Sequence, residues 1–262
     1  MIILKPRFIS RMLRLIAATG LLAIFSFTLY AYGQDQSAKS PKMNMATMDA
    51  QEPEVAHPFF THMGMPDAVG IYSLRLGGLV TRAEDKTDAD LAFHLETGLT
   101  DFIGVHLRND GIRDRQHSEI MFQFAAIRSD DRMSGFSPLI EFEFATHSGG
   151  DQHVNTMVGF TTAIANPKYA LNQVLHYDPR SDGVEGSAAF VVALSTQLYP
   201  VVELAGEGMP GEQPILNVLG GMKVRVNDGL LLGIALQAPI TTRKDFSWQL
   251  VFQPEIEWGK MK

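Results

Sequence analysis

Apolar and polar side chains alternate over the last long segment of the sequence, residues 246–258. Every second residue is apolar, and of the six residues between them only Val251 is apolar. Successive side chains of a β-strand point to opposite faces, so the segment predicts a strand with one apolar and one polar face. Its 13 residues exceed the roughly five or six of a globular strand and match a tilted strand that crosses a membrane. The apolar face comprises Phe246, Trp248, Leu250, Phe252, Pro254, Ile256 and Trp258.

Shorter versions of the same alternation recur from Val69 onward. Turn signals such as Asn109-Asp110-Gly111 and Asn227-Asp228-Gly229 separate them, and no segment has a convincing helical period. An even number of strands is typical of a single-chain bacterial membrane barrel, and ten or fourteen also fit the pattern. The pattern predicts about twelve strands, near residues 70–82, 89–98, 101–108, 117–127, 138–147, 153–164, 168–178, 186–195, 199–206, 214–226, 229–238 and 245–258.

Two classes of all-β fold are compatible with this alternation. A soluble sandwich or lipocalin-like barrel also hides one face of each strand. Long strands, aromatic residues at both ends of residues 246–258 and the absence of cysteine favour a membrane barrel, in which closure pairs every backbone amide and carbonyl. We therefore predict an antiparallel transmembrane β-barrel over residues 69–258, with a short tail at 259–262.

The first 33 residues have the features of a cleaved export signal. Four basic residues precede an apolar run from Leu15 to Ala31, and cleavage is expected after Gly33. A retained membrane anchor is the alternative, because the run is nearly long enough to span a bilayer. Removal of this segment leaves 18 basic and 29 acidic residues, a formal charge of 18 − 29 = −11. Such a charge gives no reason to expect nucleic acid as a partner.

Residues 34–68 have no sustained period and are rich in Ser, Lys, Pro and Met, which predicts a flexible arm. Thioether and imidazole groups suit copper, Cu(I) especially, so a copper site competes with a plain linker as the interpretation. The segment His57–Met65 also fits a plug or docking piece with Phe59 and Phe60 as its apolar contacts. The candidate metal ligands are Met43, Met45, Met48, His57, His62, Met63 and Met65.

If the apolar faces contact lipid, the polar faces line the lumen. Both signs of charge occur there, so the side chains either surround a water-filled pore or pair across a narrow interior. Acidic residues outnumber basic ones, and an open pore should therefore weakly favour cations. The candidate lumen residues are Arg75, His94, Glu96, His106, Arg108, Glu119, Gln123, Glu141, Glu143, Glu203, Lys223, Arg225, Glu255 and Glu257.

Motifs that would indicate catalysis are missing from the sequence. It contains no H-E-x-x-H, no G-x-S-x-G and no Walker loop. We therefore expect a channel or transporter for a small solute, without chemistry or a cofactor. Its expected partners are outer-membrane lipid, the solute and a periplasmic or efflux component. A copper-handling envelope protein and a structural barrel with a plugged lumen are the alternatives.

Two segments resemble a known bacterial family. HLETGLTDFIGVHL, residues 94–107, is similar to a strand-turn-strand hairpin of the outer-membrane family called the MetA-pathway of phenol degradation, or transporter, family. ITTRKDFSWQLVFQPEIEW, residues 240–258, is similar to that family's closing strand. The resemblance covers Val69 to Trp258 and brings no catalytic residues. It implies an outer-membrane barrel that passes small, often apolar or aromatic compounds.

Overall fold

The computed structural model describes residues 55–110, 117–129, 133–145 and 154–259. The predicted export signal, the part of the arm that holds Met43, Met45 and Met48, and residues 260–262 lie outside the described residues. No helix within the described ranges is long and apolar enough to cross a membrane.

Antiparallel β-strands account for nearly all of the described chain after Gly70. The strands are β1 (Ile71–Ala83), β2 (Lys86–Thr100), β3 (Ile103–Asp110), β4 (His117–Phe124), β5 (Ile127–Arg128), β6 (Gly135–Ala145), β7 (Val154–Asn166), β8 (Tyr169–Asp178), β9 (Gly183–Val192), β10 (Leu198–Gly208), β11 (Ile215–Asn227), β12 (Leu230–Pro239) and β13 (Trp248–Gly259). Apart from the two-residue β5, these are the twelve strands that the alternation predicts, and their ends differ from the predicted ones by at most three residues.

The strands close into one barrel. Each long strand pairs with its neighbour in sequence, β4 pairs with β6, and β1 pairs with β13. Closure leaves the described sheet without a free edge, which is the arrangement that a strand-built membrane protein requires. The predicted fold class, an antiparallel barrel of twelve strands, is therefore confirmed.

The closing strand β13 shows how alternation sorts the side chains. Phe252 and Trp258 point outward and are 53% and 44% exposed, whereas Val251 and Glu255 point inward and are fully buried. The strand begins at Trp248, three residues later than the prediction near 245. The preceding residue, Ser247, instead donates its backbone N–H to the carbonyl of Arg82 at 2.6 Å.

An apolar outer surface surrounds the barrel. Tyr72 of β1 stacks on Trp258 of β13 with ring centroids 5.7 Å apart, and these two residues pair across the closing strands. Aromatic rings at the end of an apolar band are typical of the girdle at a membrane interface. Other large apolar side chains on this outer surface are Leu76, Leu91, Val202, Leu204, Leu232, Ile234, Leu236, Leu250, Phe252 and Ile256.

Residues 55–68, here called the lumen segment, lie inside the ring of strands. Their partners are inward side chains on opposite parts of the wall, including Arg75 of β1, Asn172 of β8 and Glu203 of β10. Residues 55–68 therefore lack the free conformation that a flexible arm predicts, and their position fits the alternative of a plug, which stays a prediction. Polar side chains of the wall hold the segment in place, and such long-range contacts leave no periodic pattern in its sequence.

Candidate functional site

One carboxylate of the wall binds three successive amides of the lumen segment. The backbone N–H groups of Phe59, Phe60 and Thr61 donate to Glu203, with distances of 3.1 Å from Phe60 and 2.9 Å from Thr61 to Oε2. The hydroxyl of Thr61 adds a bond of 3.0 Å to the same oxygen. Consecutive amides that converge in this way form a concave anion-binding site, and they offset the cost of burying the carboxylate.

A network of charged groups holds the segment one residue earlier. The carbonyl of Pro58 accepts from Arg75 Nη1 at 2.9 Å and from Lys223 Nζ at 3.0 Å. Lys223 also donates to Glu255 Oε2 at 2.7 Å, and His57 contacts the other oxygen of Glu255. These side chains are almost completely buried, so each charge depends on its neighbours for the solvation that water would otherwise provide.

The ring of Phe59 packs against two glycines of the wall. A Cβ atom added at Gly221 or Gly233 would come within 2.7 Å of the ring. The ring centroid also lies 4.9 Å from Lys223 Nζ, a cation–π contact. Because glycine has no side chain, Gly221 of β11 and Gly233 of β12 leave the space in which Phe59 is buried.

We expect Gly233→Ala to destabilise the barrel by about 1–3 kcal/mol, the usual cost of inserting a methyl group into a filled site. The nearest atoms to the new Cβ would belong to the side chains of Phe59 and Lys223, at 2.7 Å and 3.1 Å. Urea unfolding of the refolded protein in micelles measures the change. Gly220→Ala is the matched control, because a Cβ there meets nothing within 4 Å. Equal stability of the two variants would contradict the placement of Phe59.

Neutral polar residues hold the second half of the lumen segment. Gly64 donates its amide to Asn172 Oδ1 at 2.9 Å and accepts from the Thr161 hydroxyl at 2.9 Å. Gln123 Nε2 donates to the carbonyl of Met63 at 3.0 Å. A Cβ at Gly64 would lie 2.2 Å from a backbone carbonyl oxygen of β7, so the chain approaches the wall here as only glycine allows.

The sequence-predicted lumen residues all lie on the strands of the wall, and most of them are buried. Their inward positions follow from the alternation. Asn172, Thr161 and Ser137 also point inward but lie outside the predicted set, which holds ionisable residues and one glutamine; their parity in the strands is the signal that identifies them. The buried members of the predicted set are Arg75, His94, Glu96, His106, Gln123, Glu141, Glu203, Lys223 and Glu255, and the half-buried ones are Arg108, Glu119, Glu143, Arg225 and Glu257.

The described members of the predicted copper set have different neighbours. His57 pairs with Glu255, and the sulfur of Met65 accepts from the Ser137 hydroxyl at 3.6 Å. Met63 is half-buried, and His62 lies among histidines of the wall. Copper binding by the arm remains a prediction.

His62 contacts three other histidines inside the barrel. Its ring centroid lies 4.9 Å from that of His94, 5.4 Å from that of His106 and 5.9 Å from that of His176. Glu96 is next to two of them, with Oε1 3.1 Å from His94 Nε2 and 3.1 Å from His106 Nδ1. The centre of the barrel is therefore rich in nitrogen and oxygen atoms that can bind a cation.

Comparison with known proteins supports the fold. No protein-family model matches the sequence, and no curated protein matches it. Among solved structures, the NanC porin is similar with a TM-score of 0.50 and 7% identity over 72% of this chain and 99% of that chain. An outer membrane channel from Pseudomonas putida F1 has a TM-score of 0.48 and 8% identity over 78% of this chain and 100% of that chain. The likeness to the porin shows that this chain has the fold of an outer-membrane β-barrel.

Proposed function

We propose that the protein is an outer-membrane channel for a small solute, closed by its own lumen segment in the conformation described above. The observation that carries the proposal is the path of residues 55–68 through an interior lined with charged and polar side chains. Passage requires this segment to leave the lumen or to change its position there.

The character of the contacts supports a segment that can be displaced. Side chains of the wall bind its backbone mainly through hydrogen bonds, such as those of Glu203 and Gln123, and water can replace such bonds. The strands themselves are joined by their own backbone ladders, so the barrel does not need the segment for closure. With the segment displaced, polar and charged side chains would surround a hydrated path.

Features of the sequence support the proposed solute class and the proposed location. The resemblance of residues 94–107 and 240–258 to the MetA-pathway family supports small apolar or aromatic compounds. The excess of acidic residues on the inner face supports a weak preference for cations among ions. The predicted export signal and the apolar outer surface support insertion in outer-membrane lipid, where a periplasmic or efflux component could reach the channel.

Conductance across a planar lipid bilayer tests the channel. We expect the refolded full chain to be closed for most of the time, and a variant lacking residues 55–65 to give stable open currents, because the deletion removes the groups that fill the lumen. The matched control is a deletion of equal length within residues 34–54, which should conduct like the full chain.

Heat-modifiable gel mobility checks that each deletion variant is a folded barrel before it is measured. A folded variant that lacks residues 55–65 and stays silent would contradict the channel. It would favour a second candidate function, a structural barrel, which the filling of the lumen by residues 55–68 also supports.

A further inference from the structure

The lumen contains a buried histidine whose ring nitrogens are both without partners. His62 is 2% exposed, and neither Nδ1 nor Nε2 forms a hydrogen bond. A neutral imidazole carries one N–H donor and one lone pair, and leaving either unsatisfied in a buried position costs free energy. A lone pair aimed into a cluster of other histidines is the arrangement that a metal ion would satisfy.

The hydrogen bonds of His106 fix which of its nitrogens can bind an ion. Gln123 Nε2 donates to Met63 and Thr161, so its Oε1 is the acceptor for His106 Nε2 at 3.1 Å. The proton of neutral His106 therefore lies on Nε2, and Nδ1 presents its lone pair. That lone pair faces the carboxylate of Glu96, with Oε1 at 3.1 Å, so a cation at this position, either a second proton on His106 or a metal ion, would stabilise the two groups together. A ligating histidine whose second nitrogen donates to an amide oxygen is the usual pattern of a metal site.

We propose that His62, His94, Glu96 and His106 form a binding site for a divalent first-row transition metal, with Zn²⁺ as the fitting example. One ligand atom from each of these residues lies within 4.8 Å of the others, and all four residues are buried. Tetrahedral zinc with bonds of about 2.0 Å needs ligand atoms about 3.3 Å apart, so small rotations of the side chains complete the site. Of the residues in the predicted copper set, only His62 belongs to it.

The donor set selects the class of metal. Three imidazole nitrogens and one carboxylate oxygen suit Zn²⁺ and its neighbours, whereas Mg²⁺ and Ca²⁺ take oxygen ligands. The chain has no cysteine, which excludes thiolate ligands. The four residues also come from separate parts of the barrel, since His62 belongs to the lumen segment and the other three to β2 and β3. A bound ion would therefore tie the segment to the wall.

His94 is the weakest member of the set. Its Nδ1 accepts from Arg75 Nη2 at 2.6 Å, which places the proton of neutral His94 on Nε2, the nitrogen nearer Glu96. Arg75 must release His94 before that ring can bind an ion, and it can stay anchored through its bond to the carbonyl of Pro58. Glu96 Oε2 has no hydrogen-bond partner and can bind the ion while Oε1 stays paired with Arg75.

Isothermal titration calorimetry with Zn²⁺ tests the site. The refolded full chain is measured in micelles after a chelator has removed bound metal. We expect one ion per chain. His62→Ala and His106→Ala should each weaken the affinity by about 100-fold or more. His94→Ala should weaken it by about tenfold, because Arg75 occupies His94 Nδ1 and must move before this ring can bind an ion. His176→Ala is the matched control, because this ring also borders His62 but is outside the set; its affinity should stay within about threefold. Mg²⁺ should give no binding.

Absence of stoichiometric Zn²⁺ binding by the folded full chain would overturn the site. So would equal affinities of the full chain, His62→Ala and His106→Ala. Heat-modifiable mobility confirms that each variant is folded, and His62→Gln replaces His62→Ala if the smaller side chain prevents folding. The titration reports metal binding only, so its result does not depend on whether the barrel conducts.

Discussion

Replacement of Glu203 by alanine is expected to speed hydrogen exchange of the Phe59, Phe60 and Thr61 amides by about 100-fold or more. These three amides donate to the one carboxylate, and each buried amide left without a partner costs about 1–3 kcal/mol. A total loss of about 3 kcal/mol already changes the population of the displaced segment by roughly 100-fold. Exchange followed by mass spectrometry on peptides that cover residues 55–68 measures the effect in micelles.

Glu207→Ala is the matched control for this experiment. Glu207 lies on β10 with Glu203 and shares its parity, but it is near the end of the strand and forms no hydrogen bond with the described lumen segment. Its loss should leave exchange of the segment unchanged. An unchanged rate in Glu203→Ala itself would mean that the other wall contacts, at Pro58, Met63 and Gly64, hold the segment without Glu203. Faster exchange without any rise in bilayer conductance would contradict the proposal that this segment closes the channel.

The barrel could be predicted because its signal is local. A period of two residues fixes which side chains of a strand face outward, and the prediction for residues 246–258 holds from Trp248 to Trp258. The alternation does not fix the strand ends, because turns and single hydrogen bonds set them. At β13, the ladder with β1 ends at the pair of Trp248 and Arg82, and Ser247 adds a backbone bond to the same Arg82; the alternation from residue 246 contains no signal for this end.

The position of the lumen segment could not be predicted in the same way. Its backbone bonds go to side chains that follow it in sequence by large separations, such as Glu203 at 142 positions from Thr61. A segment without a period therefore carries no local signal that tells whether it is free in solution or bound inside the barrel. Two local clues did exist, Phe59 and Phe60 between histidines, and they led to the plug as an alternative but gave no means of preferring it.

The histidine cluster depends on strand register, which the sequence leaves open. His94 and Glu96 share a parity on β2, and His106 lies on β3 opposite Glu96. A shift of one residue between these strands would move His106 to the outer face. The irregular pairing between Gly98 and Thr100 sets the register here. All four residues could therefore be named from the sequence, His62 as a candidate metal ligand and the other three as lumen residues, but they could not be brought together, because His62 approaches the wall only through the position of the lumen segment.

The second large effect concerns the buried lysine of the wall. Lys223→Met should destabilise the barrel by about 3–5 kcal/mol, the usual cost of leaving one member of a buried ion pair without its partner. The ammonium group is fully buried, and it donates to Glu255 and to the carbonyl of Pro58. Urea unfolding in lipid vesicles, followed through the fluorescence of Trp248 and Trp258, measures the loss. Arg225→Met on the same strand is the control and should cost clearly less than Lys223→Met, because this guanidinium is half-buried and water can partly replace contacts such as its bond of 3.2 Å to the Tyr199 hydroxyl.

The double variant Lys223→Met/Glu255→Gln separates the charge from the packing. In Lys223→Met the Glu255 carboxylate keeps its contact with His57 but loses its lysine partner, so neutralising it should make the double variant more stable than Lys223→Met alone by about 1–3 kcal/mol. If the lumen were hydrated, water would solvate Glu255 with or without Lys223. The two substitutions would then each cost little, and their changes in the free energy of unfolding would add. Additivity would therefore mean that the lumen segment does not fill the barrel in the membrane, because the burial of Lys223 and Glu255 depends on Pro58 and Phe59 covering them.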